Sequence, residues 1–103
     1  MVYRFPGIEL DTDHHIFTVN SREVYLTPIE WRIMVLFMSN PYLLITTEQM
    51  IDHAWPRHYE VPLPDAPRWH VENLRSKMGQ VGWDCIQTVI GFGYRFMPYT
   101  SNE

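Results

Sequence analysis

The segment Thr27-Pro28-Ile29-Glu30 constrains the fold most strongly, because it specifies the first turn of a helix. Threonine followed three residues later by glutamate is a capping box, in which both side chains accept hydrogen bonds from backbone N–H groups that lack a helical partner. Proline suits the first helical position, where its fixed φ is already helical and its missing N–H group is not needed. We therefore predict a helix that begins at Pro28 and ends at Asn40-Pro41.

The spacing of apolar residues predicts which faces of the first two helices are buried. Positions i, i+4, i+7 and i+8 of the first helix form one stripe, and they hold Ile29, Ile33, Leu36 and Phe37. A second helix is predicted from Thr46, whose capping-box partner is Gln49, to the residue before Pro56. Its apolar side consists of Met50, Ile51, Ala54 and Trp55.

A third helix is predicted from about Asp65 to Met78, with Gly79 as its C-terminal stop. At about 100° per residue, one side must face the core, and it holds Pro67, Val71, Leu74 and Met78. The opposite side is centred on Trp69, Glu72, Asn73 and Ser76, with Arg68 and Arg75 on one edge and His70 and Lys77 on the other. Such a surface suits a DNA major groove. The spacing of Arg68, Glu72 and Arg75 is equally that of a surface ion-pair ladder.

Strands are predicted at both ends of the chain. The N-terminal β-prone runs contain Ile8 and Leu10, residues 16–19 and residues 24–26, with turns at residues 11–13 and at Asn20-Ser21. The C-terminal run Ile86–Phe96 is divided by Gly91 and Gly93 and predicts a hairpin.

This order of elements predicts an α+β fold, a winged helix-turn-helix in one domain over residues 1–103. An N-terminal antiparallel sheet would occupy residues 1–26, three helices residues 27–78, and a hairpin wing residues 85–97. Residues 56–67 contain four prolines and are predicted to be an irregular loop.

The charge balance is unusual for a nucleic-acid-binding domain. The chain has 8 Lys and Arg against 12 Asp and Glu, a net charge of −4, whereas such domains usually carry a basic surplus. Residues 1–64 account for the whole deficit, and residues 65–103 are balanced. No apolar run approaches the roughly 20 residues of a membrane span, and the single cysteine cannot form an internal disulfide. We expect a soluble cytoplasmic protein with no membrane partner.

Other chemistry is weakly represented. His14-His15 follows Asp11 and Asp13, and His53 and His58 lie near Asp52, but neither group has a recurring metal-ligand spacing. Cys85 has no signature of an activated thiolate and is expected to pack at the start of the hairpin. We expect no metal, no cofactor and no enzymatic activity.

From Leu26 to Phe96 the chain resembles the C-terminal winged-helix effector domain of OmpR/PhoB-type response regulators of two-component systems. The matching motifs are Leu26-Thr27-x-x-Glu30-Trp31, Asn40-Pro41, Thr47-Glu48-Gln49-Met50 leading to Trp55, His70-Val71-x-x-Leu74-Arg75-x-Lys77, and Gln87-Thr88-Val89-x-Gly91-x-Gly93-Tyr94-Arg95-Phe96. The resemblance implies a recognition helix in the third position, a wing that reaches a minor groove, and a loop at residues 55–67 that touches RNA polymerase.

The resemblance and the helix surface together suggest a set of DNA contacts. His70, Arg75 and Thr88 match DNA or phosphate contacts of the family, and the outward face of the third helix and the wing supply the others. The candidate residues are Arg68, Trp69, His70, Asn73, Arg75, Lys77, Thr88 and Arg95.

The sequence departs from the family at four positions where arginine is common, and these hold Thr47, Glu72, Asn73 and Ile90. Each change removes a positive charge from the expected DNA-facing surface. Two hypotheses follow. The first is a transcription factor that binds double-stranded DNA, as a homodimer on repeated half-sites. The second is a winged-helix interaction module that contacts RNA polymerase or a second copy, with weak or lost DNA binding. Compensating basic residues in neighbouring loops would discriminate between the two, and Arg57 and His58 are the only candidates. A receiver domain is missing from the sequence, so a fragment and a free-standing effector domain both remain open.

Overall fold

The computed structural model describes residues 1–56 and 65–98. Two antiparallel sheets and four helices make up the described part of the chain. The strands are β1 (Val2–Phe5), β2 (Ile8–Asp11), β3 (Ile16–Val19), β4 (Arg22–Glu23), β5 (Leu44–Thr46), β6 (Ile86–Val89) and β7 (Gly93–Phe96). The helices are α1 (Pro28–Ser39), α2 (Thr47–Ala54), α3 (Ala66–Met78) and α4 (Gln80–Cys85).

The N-terminal sheet is a meander in the order β1-β2-β3-β4. Buried residues alternate with more exposed ones along β2 and β3, as in a sheet with one buried face. The buried residues are Ile8, Leu10, Phe17 and Val19. Asn20 and Ser21 connect β3 to β4 with φ of 52° and 66°, the combination that a tight hairpin turn needs. The predicted run at residues 24–26 lies just beyond β4, although the Val24 N–H still donates to the Phe17 carbonyl at 2.8 Å.

Both predicted capping boxes are confirmed. The Thr27 hydroxyl accepts from the Glu30 N–H at 3.2 Å, and the Glu30 carboxylate accepts from the Thr27 N–H at 2.9 Å. Thr46 and Gln49 make the same reciprocal pair at 3.1 and 2.8 Å. These local interactions fix where α1 and α2 begin, which is why the sequence alone locates both helix starts.

The buried face of α1 differs in part from the predicted stripe. Ile33 and Phe37 are fully buried as predicted, whereas Ile29 and Leu36 are only partly buried. Met34 and Met38 are buried instead. The physical reason is that α1 packs against α2, α3 and β7 together, so its buried face is wider than one stripe and is displaced by one residue.

Three elements were not individually predicted: β1, which lies within the span predicted for the N-terminal sheet, β5 and α4. Strand β5 has only three residues and pairs with β7, so the wing is part of a three-stranded sheet in the order β5-β7-β6. Helix α4 has six residues. Gly79 precedes it and Gly82 lies within it, and glycine is a poor helix former. It forms because it packs closely on α3: a Cβ at Gly82 would lie only 2.9 Å from the Arg75 backbone.

The core lies between the N-terminal sheet, the helices and the wing sheet. Phe17, Phe37 and Phe96 are its largest fully buried side chains. The Phe96 ring contacts Phe37 at 6.3 Å and Phe5 at 5.6 Å between centroids, so one aromatic cluster joins β1, α1 and β7. None of the helices in the described ranges is long and apolar enough to cross a membrane.

Candidate nucleic-acid interface

Helix α3 buries one side completely and exposes the opposite side. Pro67, Val71, Leu74 and Met78 are buried, as predicted from their spacing. On the outward side Arg68, Trp69, Glu72 and Ser76 are exposed, and Asn73 is half-buried. Trp69 has 64% of its surface exposed, which is unusual for so large an apolar side chain without a contact to make.

Arg75 lies inside the junction between α3 and the wing, and only 7% of it is exposed. Its guanidinium donates from Nε and Nη2 to the Ile86 carbonyl at 3.1 and 2.6 Å. Nη2 also donates to the Thr88 hydroxyl at 2.9 Å. The Trp83 and Tyr94 rings contact the cation at 5.3 and 5.7 Å from their centroids, within the range of cation–π attraction. Arg75 therefore does not share the exposed edge of α3 with Arg68.

Burial affects the ionisation of two groups in this junction. Desolvation lowers the pKa of Arg75, while the nearby Tyr94 hydroxyl and Glu72 carboxylate oppose the shift. Desolvation raises the pKa of Tyr94 above its usual 10.0. Arginine remains protonated under all ordinary conditions, so the junction contains a buried positive charge held by the Ile86 carbonyl.

Lys77 is an internal anchor of α3. Its Nζ lies 2.6 Å from Oε1 of Glu30, and the Glu30 side chain is only 2% exposed whereas that of Lys77 is 36% exposed. The same carboxylate completes the capping box of α1. One buried glutamate thus joins the last turn of α3 to the first turn of α1, and Lys77 supplies its counter-charge.

The basic residue at the start of α3 is also paired. Arg68 Nε lies 3.4 Å from a Glu72 carboxylate oxygen, with side-chain exposures of 73% and 49%. This ion pair is one step of the ladder that the spacing predicts, and Arg75 is not part of it. The three basic side chains of α3 are therefore engaged within the protein: Arg68 at the surface, Lys77 at a half-buried site and Arg75 in the interior.

His70 packs between two tryptophans. Its ring meets Trp55 at 5.3 Å and Trp69 at 5.0 Å between centroids, both edge to face. Its Nδ1 atom is buried and has no hydrogen-bond partner among residues 1–56 and 65–98. Desolvation lowers the pKa of His70 below 6.5, and the negative charge of Glu30 opposes the shift in part.

The wing presents an uncharged tip. Thr88 is exposed on β6, Arg95 is half-buried on β7, and the turn between these strands exposes 89% of Ile90 and 65% of Phe92. The tip is attached to α2, because the Thr47 N–H donates to the Phe92 carbonyl at 3.3 Å.

Close backbone contact makes glycine necessary at Gly93. A Cβ there would overlap the Ile45 carbonyl oxygen and lie 2.8 Å from the Thr46 Cα. No other residue permits β7 to approach β5 so closely, and this approach brings the wing against the start of α2.

The structure brings only some of the predicted residues together. Arg75 and Thr88 are in direct contact, and the rings of Trp69 and His70 meet edge to face. Lys77 lies instead with Glu30. Sequence reasoning missed Glu30, Trp83 and Tyr94 as partners, because they lie in other elements and no local spacing reveals them.

The remaining predictions on sites concern metal ions and the long loop. No group of three His, Cys, Asp or Glu residues suited to a metal ion occurs in the parts of the chain that the structure describes. Most of the loop at residues 55–67, including Arg57 and His58, lies outside the described residues.

Comparison with known proteins gives a consistent family. The sequence matches the family model described as "Transcriptional regulatory protein, C terminal" over residues 21–96. It is 30% identical over 105 residues to the transcriptional regulatory protein SrrA of Staphylococcus aureus, an alignment that covers 99% of this chain and 43% of SrrA. The chain thus spans less than half the length of that relative.

Solved structures share the fold. The DNA-binding domain of the response regulator AdeR, crystallised with an intercistronic region, has a TM-score of 0.82 at 26% identity, covering 94% of this chain and 99% of that one. DrrB, an OmpR/PhoB homologue of Thermotoga maritima, has a TM-score of 0.82 at 18% identity, covering 93% of this chain and 44% of that one. The winged helix predicted from the sequence is therefore confirmed, and its fold is shared with an OmpR/PhoB homologue. The chain belongs to the family of C-terminal domains of transcriptional regulatory proteins.

Proposed function

We propose that this chain is the DNA-binding domain of a transcriptional regulator and places α3 in the major groove of duplex DNA. The observation that carries the proposal is the two-sided character of α3, which buries Val71 and Leu74 completely and exposes Arg68, Trp69 and Glu72. The likeness to the AdeR domain, which was crystallised with DNA, supports it. The proposed activity is binding without catalysis.

The exposed side chains of α3 have suitable chemistry for base edges. Arginine pairs with guanine and asparagine with adenine in the major groove, and an apolar ring can meet a thymine methyl group. Arg68, Asn73 and Trp69 are therefore proposed as base-contacting residues. Arg68 must leave Glu72 to do so, which costs little because exposed ion pairs contribute only about 0–1 kcal/mol.

The other predicted contacts have supporting roles in this proposal. Arg75 and Lys77 orient α3 through Ile86 and Glu30, while His70 supports the Trp69 ring. Thr88 and Arg95 lie on the wing strands and are proposed to face the sugar-phosphate backbone.

Binding to a random-sequence duplex pool at about 50 mM salt tests this function, because nonspecific contacts are strongest at low salt. Because Arg68 is proposed to contact a base edge, Arg68→Ala should weaken binding to the sequences that the wild-type protein selects from the pool by about 1–3 kcal/mol and reduce the discrimination between sequences. Arg22→Ala is the matched control, since Arg22 is exposed on β4 and the charge change is identical. A folded protein that fails to bind, or equal losses in both variants, would contradict the proposal.

A second candidate function is a protein-interaction module. It is favoured by the net charge of −4 and by the exposed apolar side chains Trp69, Ile90 and Phe92. In this case Trp69→Ala would disrupt a complex with RNA polymerase or with a second copy and leave DNA affinity unchanged. Tyr25→Ala is a suitable control, because Tyr25 is also exposed but lies just after β4.

Two further partners are proposed from the family resemblance alone. One is RNA polymerase, through the loop at residues 55–67, and the other is a second copy on repeated half-sites. Sedimentation with and without a duplex carrying two half-sites tests whether a second copy binds beside the first. One protein per duplex at saturation would contradict this proposal.

A further inference from the structure

We propose that the wing tip Ile90-Gly91-Phe92 enters the minor groove of duplex DNA as an apolar wedge that partly unstacks one base step. This inference rests on the proposed function, and it adds a structural basis for sequence preference. The chain would favour sites that contain a deformable step, and it would do so without a charged group at the wing tip.

The exposure of the tip is the first observation. Ile90 is 89% exposed, more than any other large apolar side chain in the described ranges, and Phe92 is 65% exposed. The two residues flank Gly91 in a single turn, so their side chains extend from the same end of the hairpin. Complete burial of side chains of this size is strongly favourable in water, which makes their common exposure costly unless they meet a partner.

The second observation is the absence of charge. Residues 86–94, which include the turn, contain no Lys, Arg, Asp or Glu, so the tip itself cannot form ion pairs with phosphate. The charged residue of this hairpin is Arg95, which lies on β7 beyond the turn. Gln87 and Thr88 are exposed on β6 and offer neutral hydrogen-bonding groups beside the tip. A tip of this composition can approach a groove only through apolar contact and neutral hydrogen bonds.

The third observation is that the turn is held in place. The Phe92 N–H donates to the Val89 carbonyl at 3.0 Å, and the Phe92 carbonyl accepts from the Thr47 N–H at 3.3 Å. Gly91 has a φ of +86°, a conformation that glycine adopts without strain. The close approach of β7 to β5 at Gly93 fixes the base of the hairpin. Because the tip is already ordered, little conformational entropy is lost when it binds.

These properties match the way in which architectural proteins deform DNA. Ile and Phe side chains insert between base steps from the minor groove, unstack them in part and bend the duplex. Pyrimidine–purine steps are the easiest to deform. An apolar tip therefore selects sequence through the energy of deformation, whereas a basic tip selects a narrow, electronegative groove.

The test uses duplexes that carry 2-aminopurine beside a central TA step, drawn from sequences that the wild-type protein selects out of a random pool. Fluorescence of 2-aminopurine rises when the base unstacks. The wild-type protein should raise the fluorescence, and Ile90→Ser/Phe92→Ser should abolish the rise and weaken binding about tenfold. The salt slope should stay the same, because no phosphate contact is lost. Ile16→Ser, an exposed apolar position on β3, is the control and should change neither quantity.

A second variant separates apolar insertion from simple proximity. Ile90→Arg should remove the fluorescence rise and steepen the salt slope by about one phosphate equivalent. Wild-type binding without any fluorescence rise, or with a rise that survives the double substitution, would overturn the wedge and leave the proposed function standing. Failure of the wild-type protein to bind DNA at low salt would overturn both. Loss of a protein complex in the double variant, with DNA affinity unchanged, would overturn the wedge in favour of protein docking.

Discussion

Arg75 donates two hydrogen bonds to the carbonyl oxygen of Ile86, from Nε at 3.1 Å and from Nη2 at 2.6 Å. This contact joins the proposed recognition helix α3 to the first strand of the wing. The position of one relative to the other is thus set by a buried cation in the protein itself. This fixed geometry holds the wing at a set position beside α3 before either element meets DNA.

We expect Arg75→Met to lower the free energy of unfolding by about 2–3 kcal/mol. Methionine fills similar space but leaves the Ile86 carbonyl without its donor, and hydrogen bonds to charged groups contribute about 1.5–3 kcal/mol. Urea unfolding measures the loss. Arg68→Met is the control and should cost less than about 0.5 kcal/mol, since the ion pair of Arg68 with Glu72 is exposed. Equal stability of the two variants would contradict the assigned role of Arg75.

Lys77→Met should be destabilising, because it leaves the carboxylate of Glu30 buried without its counter-charge. Removing one member of a fully buried pair costs about 3–5 kcal/mol, and partial exposure of Lys77 reduces our expectation to about 1–3 kcal/mol. A cycle of Glu30→Gln, Lys77→Met and the double variant measures the coupling by chemical denaturation.

The same variant distinguishes an anchor from a DNA contact. If Lys77 acts only within the protein, the double variant Glu30→Gln/Lys77→Met retains the wild-type salt slope for DNA binding. A slope reduced by about one phosphate equivalent would show that Lys77 reaches the DNA as well.

Gly93→Ala should disrupt the wing sheet. The added Cβ has no space against Ile45 and Thr46, so β5 and β7 must separate, and we expect a loss above about 3 kcal/mol. Gly91→Ala is the matched control. Nothing lies within 4 Å of its Cβ position, and only the positive φ is unfavourable, at about 1–2 kcal/mol. Thermal unfolding of both variants checks the difference, and similar losses would contradict the close-packing explanation.

His70 should make stability depend on pH. Because folding lowers its pKa below 6.5, the unfolded chain binds a proton at a higher pH than the folded protein does. The stabilising contribution is therefore present above about pH 6.5 and is lost as the pH falls towards the lowered value. His70→Phe keeps the contacts with Trp55 and Trp69 and should reduce the loss of stability between about pH 7.5 and pH 5.5.

Urea unfolding at the two pH values measures this effect. His53→Asn serves as the control because His53 is exposed on α2, and its pH dependence should match that of the wild-type protein. An unchanged pH dependence in His70→Phe would contradict the desolvation of His70.

Local signals explain which parts of the fold could be predicted from sequence. The capping boxes at Thr27 and Thr46 and the apolar spacing of α3 act within a few residues, and each was correctly located. Strand β5 was not predicted because three residues are too few to show an alternation of apolar and polar side chains. Helix α4 was not predicted because Gly79 and Gly82 disfavour a helix in isolation. Gly82 suits this helix only because the helix packs closely against Arg75.

The candidate site was harder to predict for the same reason. Its surface residues follow from the helical period, but the partners of its charges do not. Glu30 and Lys77 are 47 positions apart, and Arg75 meets a backbone carbonyl that has no sequence signature. Helical spacing therefore identified which residues lie on α3 but did not predict which charges are neutralised inside the protein.

The measurement that tests the central proposal most directly is the dependence of DNA affinity on salt concentration. For double-stranded DNA, the slope of log K against log salt is about −0.9 per phosphate contacted. With Arg75 and Lys77 engaged internally, we predict measurable binding at about 50 mM salt with a slope corresponding to about 2–3 phosphates. A folded protein with no affinity for duplex DNA at that salt concentration would contradict the proposed function, and a slope of about 6 or more would contradict the internal engagement of these charges.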